Sequence, residues 1–308
     1  MRSELSEELS RIISDKCIIE NEDLSRHTTF RIGGPADYFV RINSQGELSS
    51  LLKLFSEHNM EFFKDFYVIG NGSNLLVSDK GFRGVIVSLG GEFSEIRLLD
   101  DTHVSAGSAA FNSAVANMAK DNCLTGFEFA HGIPGTIGGA LIMNAGAYGG
   151  EMKQVVQKVS IMEPDGTVRV FTGEEAEFGY RSSAFKNRPC VILGAEIELS
   201  KGNKDQIEST MNELMGRRRD KQPLEFPSAG STFKRPEGNF AGKLIEEAGL
   251  RGYSVGDAQV SEKHCGFVVN KGKATSEDVD KLIKDVQKKV FENSGVMLDP
   301  EVIRLGEF

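Results

Sequence analysis

Apolar residues along this chain change period several times, and the changes mark its elements. In "ADYFVRI" (36–42), "FYVIG" (66–70), "GVIVSL" (84–89), "EIRLL" (95–99) and "HVSAG" (103–107) they form short β-branched or aromatic runs bounded by glycine or polar residues. That is the pattern of strands. In "GELSSLLKLFSEHN" (46–59) they recur every three or four positions, which predicts an amphipathic helix. Leu5, Leu9, Ile12 and Ile13 share the helical spacing near the N-terminus, and another helix is expected around 111–121. From 154 to 199 the pattern is mostly β: a Pro164-Asp165-Gly166 turn separates two β-branched runs, a hairpin signal, and "CVILGAEIEL" (190–199) is a further strand.

Beyond 203 the composition shifts. "NKDQIESTMNELMGRRRDK" (203–221) reads as a helix ending in a basic cluster, and a polar loop with three prolines runs to 236. "FAGKLIEEAGL" (240–250) reads as a helix stopped by Gly249. "TSEDVDKLIKDVQKKVFENSG" (275–295) opens on a Ser/Thr cap and closes on glycine. The fold class expected is α+β: a domain pair, 1–88 and 89–203, followed by a third α+β domain, 204–308.

Composition narrows the function classes. A length of 308 residues suits two or three domains. A net charge of −9 argues against general nucleic-acid binding, since a duplex would be repelled. Glu4, Glu7 and Glu8 interrupt the N-terminal apolar spacing, so a signal peptide is not expected, and no run approaches the ~20 apolar residues of a membrane span. Cys17, Cys123, Cys190 and Cys265 are scattered without a CxxC pair. That disfavours a disulfide framework or a metal site and fits a reducing cytoplasm.

Two glycine-rich stretches carry the candidate chemistry. "IGNGSNLLVSD" (69–79) is a strand entering a Gly-Asn-Gly-Ser-Asn turn and leaving as a second apolar strand. Successive N–H groups in such a turn form an anion-binding concavity, with Ser73 and Asn74 as added donors; a plain glycine hairpin is the competing reading. The spacing is not that of a Rossmann fingerprint, and a strand rather than a helix follows. "GFEFAHGIPGTIGGALIMNAGAYGG" (126–150) lacks the Gly-Lys-Ser/Thr ending of a P-loop. Its apolar residues alternate with glycines, which suits backbone lying flat along a planar ligand. It suits a buried packing seam equally well, and this segment alone leaves the two open.

"RHTTFRIGGPADYF", "VIGNGSNLLVSD", "GFEFAHGIPGTIGGALIMNAGAYGGEM", "FGYRSSAFK", "PSAGSTFKRP" and "LDPEVIRLG" occur in that order across residues 24–306. Together they closely resemble the UDP-N-acetylenolpyruvoylglucosamine reductases (MurB) of peptidoglycan precursor synthesis. The resemblance implies two FAD-binding domains of the vanillyl-alcohol-oxidase type plus a substrate domain, with NADPH as hydride donor and the enolpyruvyl ether of UDP-N-acetylglucosamine as substrate. It implies flavin contacts at Gly70, Asn71, Gly72, Ser73, Asn74 and Leu75, and at Gly132, Ile133, Pro134, Gly135, Gly138, Asn144, Gly146, Ala147 and Tyr148, glycine being used where a side chain would fill flavin space.

The resemblance also assigns catalytic roles. Arg181 corresponds to the arginine near the substrate carboxylate, Ser231 to the proton donor, and Glu301 to the glutamate that works with both at the reacting end. For the last to hold, the final strand must fold back toward the flavin. Lys234 and Arg235 are expected to help bind the UDP diphosphate.

About twenty residues without a tyrosine lie between Arg181 and the helix at 203, so the chain resembles the shorter family branch without a tyrosine loop. Pro35 directly follows Gly33-Gly34, where related oxidases place a flavin-tethering histidine, so non-covalent FAD is expected. The rival readings are another FAD-linked oxidoreductase of the same fold and a non-catalytic nucleotide-sugar binder. Neither a metal nor an obligate protein partner is expected.

Overall fold

The computed structural model describes residues 2–308, with side chains from Leu5 onward. The chain forms two compact units. One comprises residues up to Glu20, Tyr38–Gly70 and Gly84–Gly216; the other comprises Asn21–Asp37, Asn71–Arg83 and Arg217–Phe308.

The first unit holds two hydrophobic cores. One lies under a four-stranded sheet with strand order Ile18–Asp23, Pro35–Ile42, Phe82–Leu89, Phe66–Ile69. The last two strands run parallel, which requires a crossover between them. Helix Gln45–Glu57 starts where the Ser44 hydroxyl accepts the Glu47 N–H at 3.2 Å, satisfying one of the donors a helix start leaves open. Its apolar stripe (Leu48, Leu51, Leu52, Phe55) is buried with Val40, Phe66 and Val85.

The other core lies under an antiparallel sheet ordered Val168–Thr172, Val156–Met162, Val191–Glu198, His103–Gly107, Ile96–Leu98. The predicted hairpin is there: Met162 pairs with Val168 across the Pro-Asp-Gly turn, with Gly166 at φ +84°. Phe127, Ile137 and Leu141 from the glycine-rich segment join Val104, Val159 and Ile197 in this core. The long linker between Val168–Thr172 and Val191–Glu198 carries Arg181.

In the second unit an antiparallel sheet ordered Ser228–Ser231, Phe267–Asn270, Ala258–Val260, Ser254–Val255 shares a core with helix Ser276–Ser294. That helix buries Val279, Leu282, Ile283, Val286 and Val290, the helical spacing seen in the sequence. Thr275 and Asp278 form its capping box, and Gly295 ends it at φ +73°. Strand Leu75–Val77 pairs in parallel with Ile303–Leu305, a pairing no local signal reveals.

Three segments read differently from the sequence. Ser228–Ser231 is a strand within the stretch expected to be loop, because Phe267–Asn270 supplies its ladder partner. Ile18–Asp23 is a strand without alternation, since one apolar pair precedes four polar residues. Residues Ile137–Ile142, to which the sequence assigned no element, form a helix with Ile137 and Leu141 buried. Among the described residues no helix is long and apolar enough to cross a membrane, and all four cysteines are free.

Phe30, Ile32 and Leu76 are at most 2% exposed and belong to the core that holds Val260, Leu282 and Val302. A fragment ending at 203 would leave these three side chains without the residues that bury them, exposing side chains worth about 1.5–3 kcal/mol each. We expect the 1–203 fragment to bind a hydrophobic dye and unfold without a sharp transition. A cooperative, dye-negative fragment would show that 21–37 and 71–83 do not need the C-terminal core.

Candidate functional site

In the first unit the glycine-rich segment is tied to the sheet edge at each step. Asn112 N–H donates to the Gly135 carbonyl at 3.1 Å, Ile137 N–H to Ala110 at 2.9 Å, and Gly138 N–H to Ser108 at 2.8 Å. These bonds seat helix Ile137–Ile142 on residues 108–112. Gly132, Ile133 and Gly135 are half-buried and Pro134 is exposed just ahead of it. Gly146–Ala147 and Gly150–Glu151 form a small antiparallel hairpin, with Tyr148 43% exposed at its tip.

The structure supplies a packing reason for several of these glycines. A Cβ on Gly138 would lie 3.0 Å from the Ser108 Cβ, one on Gly150 within 2.4 Å of the Phe129 ring, and one on Gly146 2.6 Å from the Gly150 carbonyl. On Gly70 it would meet the Thr136 hydroxyl at 2.8 Å. In the second unit Gly72 sits at φ +60°, and a Cβ there would fall 2.1 Å from the His27 carbonyl. Protein atoms by themselves demand glycine at Gly70, Gly72, Gly146 and Gly150 and crowd a side chain at Gly138. Gly139 and Gly149 are the exceptions, with nothing within 4 Å of an added Cβ. Gly139 was missed in the sequence because it looks identical to its neighbour; only the helix phase turns one inward and the other outward.

A flat cofactor fits this surface in two respects. Gly139 leaves one face of helix Ile137–Ile142 open to close approach. Ser108 Oγ, Asn112 Oδ1 and His131 Nδ1 are buried without a hydrogen-bond partner among the described residues, so the segment keeps unused polar capacity. Burial holds the His131 imidazole below its ordinary pKa, with Lys120 acting in the same direction, so the ring favours its neutral form.

Asn144, expected among the flavin contacts, is 2% exposed. Its side-chain amide donates to Glu151 and to the Gly179 carbonyl, and its oxygen accepts from the Lys153 N–H. Those bonds occupy it within the protein. Arg181 lies half-buried in a tight turn closed by reciprocal backbone bonds between Gly179 and Ser182. It adopts φ +53°, an unusual conformation for a residue with a side chain. Its guanidinium carbon sits 5.4 Å from the Tyr180 ring centroid.

The second unit brings Ser231 and Glu301 together. Ser231 ends strand Ser228–Ser231, paired with Phe267, and the adjacent Thr232 carbonyl accepts the Glu301 N–H at 2.8 Å. The Glu301 carbonyl accepts from Asn74 Nδ2 at 3.1 Å, and the Ile303 N–H donates to the Asn74 carbonyl at 2.9 Å. Asn74, expected among the flavin contacts, also clamps the backbone of Glu301 with its side-chain donor. Asn71, Gly72, Ser73 and Leu75 precede or begin strand Leu75–Val77 in the same unit, while Gly70 closes its part of the first. The final strand therefore returns to the glycine turn.

The two basic candidates are engaged within the second unit. Lys234 Nζ lies 2.5 Å from an Asp299 carboxylate oxygen. Arg235 Nε donates to the Asn239 carbonyl at 3.3 Å, and its guanidinium carbon stacks 4.0 Å from the Phe240 ring centroid.

Comparison with known proteins places these features. Residues 222–305 match the model of the UDP-N-acetylenolpyruvoylglucosamine reductase C-terminal domain, and residues 36–172 match that of an FAD binding domain. The chain is 50% identical over 302 residues to the UDP-N-acetylenolpyruvoylglucosamine reductase of Agathobacter rectalis, covering 94% of this chain and 95% of that protein. It is 49% identical to the reductase of Clostridioides difficile, with 97% of each covered. The crystal structure of UDP-N-acetylenolpyruvylglucosamine reductase (MurB) from Thermus caldophilus superposes with a TM-score of 0.80 at 33% identity, over 94% of this chain and 98% of that one.

Gly138 and Gly139 separate packing from ligand approach. Gly138→Val should lower Tm, an overpacking cost of about 1–3 kcal/mol. Gly139→Val should leave the fold intact yet reduce the flavin absorbance that co-purifies with the protein. A Gly139→Val protein with full flavin content would remove the open helix face from the binding surface.

Proposed function

The chain belongs to the UDP-N-acetylenolpyruvoylglucosamine reductase family, and on that premise we propose that Arg181, Ser231 and Glu301 carry its chemistry. The activity is a flavin-dependent reduction: the enolpyruvyl ether of UDP-N-acetylglucosamine becomes UDP-N-acetylmuramate, a step of peptidoglycan precursor synthesis. When bound, FAD supplies the redox chemistry, accepting hydride from NADPH and delivering it to the enolpyruvyl methylene carbon.

The protein supplies position, charge and a proton. Arg181 binds the substrate carboxylate, a role for which its planar fork and permanent charge suit it. Its left-handed backbone supports the reading, because a strained conformation persists only where surrounding bonds over-determine it. Ser231 donates the proton to the carbon next to the carboxylate, giving the lactyl ether. Glu301 acts electrostatically on the negative charge and proton as they are redistributed.

The observation that carries the reading is the fixing of Glu301 backbone between Thr232, next to Ser231, and Asn74 of the glycine turn. Preorganised groups stabilise a transition state because they need not reorganise during reaction. Gly70–Leu75, Gly132–Gly135, Gly138, Asn144 and Gly146–Tyr148 are proposed to hold FAD non-covalently. Lys234 and Arg235 are proposed to meet the nucleotide diphosphate, Lys234 by exchanging its Asp299 partner for phosphate. Domains 1–88 and 89–203 are read as the flavin-binding pair and 204–308 as the substrate domain; the three separate cores support that division, with Phe30, Ile32 and Leu76 lent to the third. Cytoplasmic residence fits four free cysteines.

Ser231→Ala should slow flavin reoxidation by the enolpyruvyl substrate by roughly 10²–10⁴-fold, the usual loss with a general acid, and slow reduction by NADPH far less. Stopped-flow absorbance reads both; equal slowing would make Ser231 structural. Glu301→Gln should lower kcat much more than it raises KM, the signature of an interaction made mainly in the transition state. Near-normal turnover would leave Glu301 without a catalytic role.

A further inference from the structure

We propose that Asn144 is a positioning residue for Arg181, fixing the arginine turn to the end of the glycine-rich helix; the inference rests on the reading of Arg181 as the carboxylate-binding group. Helix Ile137–Ile142 ends in a Schellman motif. The Ala145 N–H reaches the Ala140 carbonyl at 2.8 Å, and the Asn144 N–H reaches that of Leu141 at 3.4 Å. Asn144 occupies the left-handed position of this motif at φ +42°, the place glycine ordinarily fills. In a segment already so rich in glycine, an asparagine at that position needs a reason, and its side chain gives one.

All three of its strong hydrogen-bonding sites are used. Oδ1 accepts from the Lys153 N–H at 2.9 Å, and Nδ2 donates at 3.0 Å both to Glu151 Oε2 and to the Gly179 carbonyl. Gly179 opens the turn that contains Arg181, and its carbonyl also accepts the Ser182 N–H. The far side of the turn is fastened to the same helix end: Ser183 Oγ donates at 2.9 Å to the Ile142 carbonyl, one of those a helix terminus leaves without an internal partner. Lys186 Nζ then holds the Arg181 carbonyl at 2.9 Å. Two bonds from one short helix thus bracket residues 179–183, and a left-handed arginine is kept in place between them. A planar fork recognises a carboxylate only in a narrow range of positions, so a turn released by an ångström loses much of its benefit.

Asn144→Gly isolates this role, because glycine keeps the left-handed helix end and removes only the side-chain bonds. The measurement is calorimetric binding to the FAD-loaded protein of two nucleotides: the enolpyruvyl substrate, and UDP-N-acetylglucosamine, which lacks the carboxylate. Their affinity ratio reports the contacts made by the enolpyruvyl group, of which the carboxylate is the only charged part. Asn144→Gly should weaken the enolpyruvyl nucleotide by roughly ten- to a hundred-fold and leave UDP-N-acetylglucosamine nearly unchanged. Ser183→Ala, which frees the other end of the turn, should move the ratio the same way and gives the answer if Asn144→Gly does not fold. Equal weakening of both nucleotides, or none of either, would overturn the proposal.

Arg181→Lys separates the inference from its premise. If it leaves the ratio at the wild-type value, the reading of Arg181 itself is wrong. If it collapses the ratio while Asn144→Gly and Ser183→Ala do not, the reading stands and the positioning role fails. Where both hold, adding Asn144→Gly to Arg181→Lys should change the ratio little further, since the two act through one contact.

Discussion

The parallel pairing of Leu75–Val77 with Ile303–Leu305 is the contact on which the second unit's part of the chemistry depends. Two three-residue strands joined only to each other make a weak sheet, because isolated two-stranded pairs are marginal in water. Three other contacts compensate. All three residues of Leu75–Val77 are buried; Asn74 binds Glu301 through its side chain and Ile303 through its carbonyl; and Asp79, just past the strand, exchanges hydrogen bonds with Ser276 at the start of helix Ser276–Ser294. The glycine turn and the chain's last segment are therefore set by the same core as the long helix. Without that core Glu301 would have no defined position.

Local signals made much of the fold readable. The hairpin at Pro164-Asp165-Gly166, the cap at Thr275 and the stop at Gly295 are each determined by residues within a few positions, so sequence and structure agree there. Among the strands that escaped, Ser254–Val255 and Ala258–Val260 are too short to show a period. The fold-back of the final strand is of another kind: it joins residues more than two hundred positions apart, and nothing in "LDPEVIRLG" names its partner. Ordered motifs shared with a family made that return expected; no physical signal in the sequence did.

The glycine-rich segment shows why composition underdetermines a site. Glycine serves two physical ends here that a sequence cannot separate. At Gly70, Gly72, Gly138, Gly146 and Gly150 it lets protein elements approach within distances a Cβ forbids. At Gly139 it leaves a face bare. Both raise the chain's folding entropy cost by about the same amount, so only the geometry around each position tells them apart. The packing-seam reading accordingly holds at the crowded positions, and the bare face at Gly139 is where the proposed flavin surface has room.

Asparagine shows the complementary economy. Asn74 and Asn144 lie within the two glycine-rich stretches, and in each a side-chain amide donates to a distant backbone carbonyl, that of Glu301 or Gly179. An amide suits this because it carries donors and an acceptor on a short stem and, at Asn144, tolerates the left-handed backbone that the helix end requires. Each target carbonyl belongs to a proposed catalytic residue or to the turn holding one. A backbone bond fixes a segment's path, so the main chains around Glu301 and Arg181 are held by these ties. The glycine-rich stretches of this chain thus provide, through Asn74 and Asn144, backbone ties to the segments that carry the proposed catalytic residues.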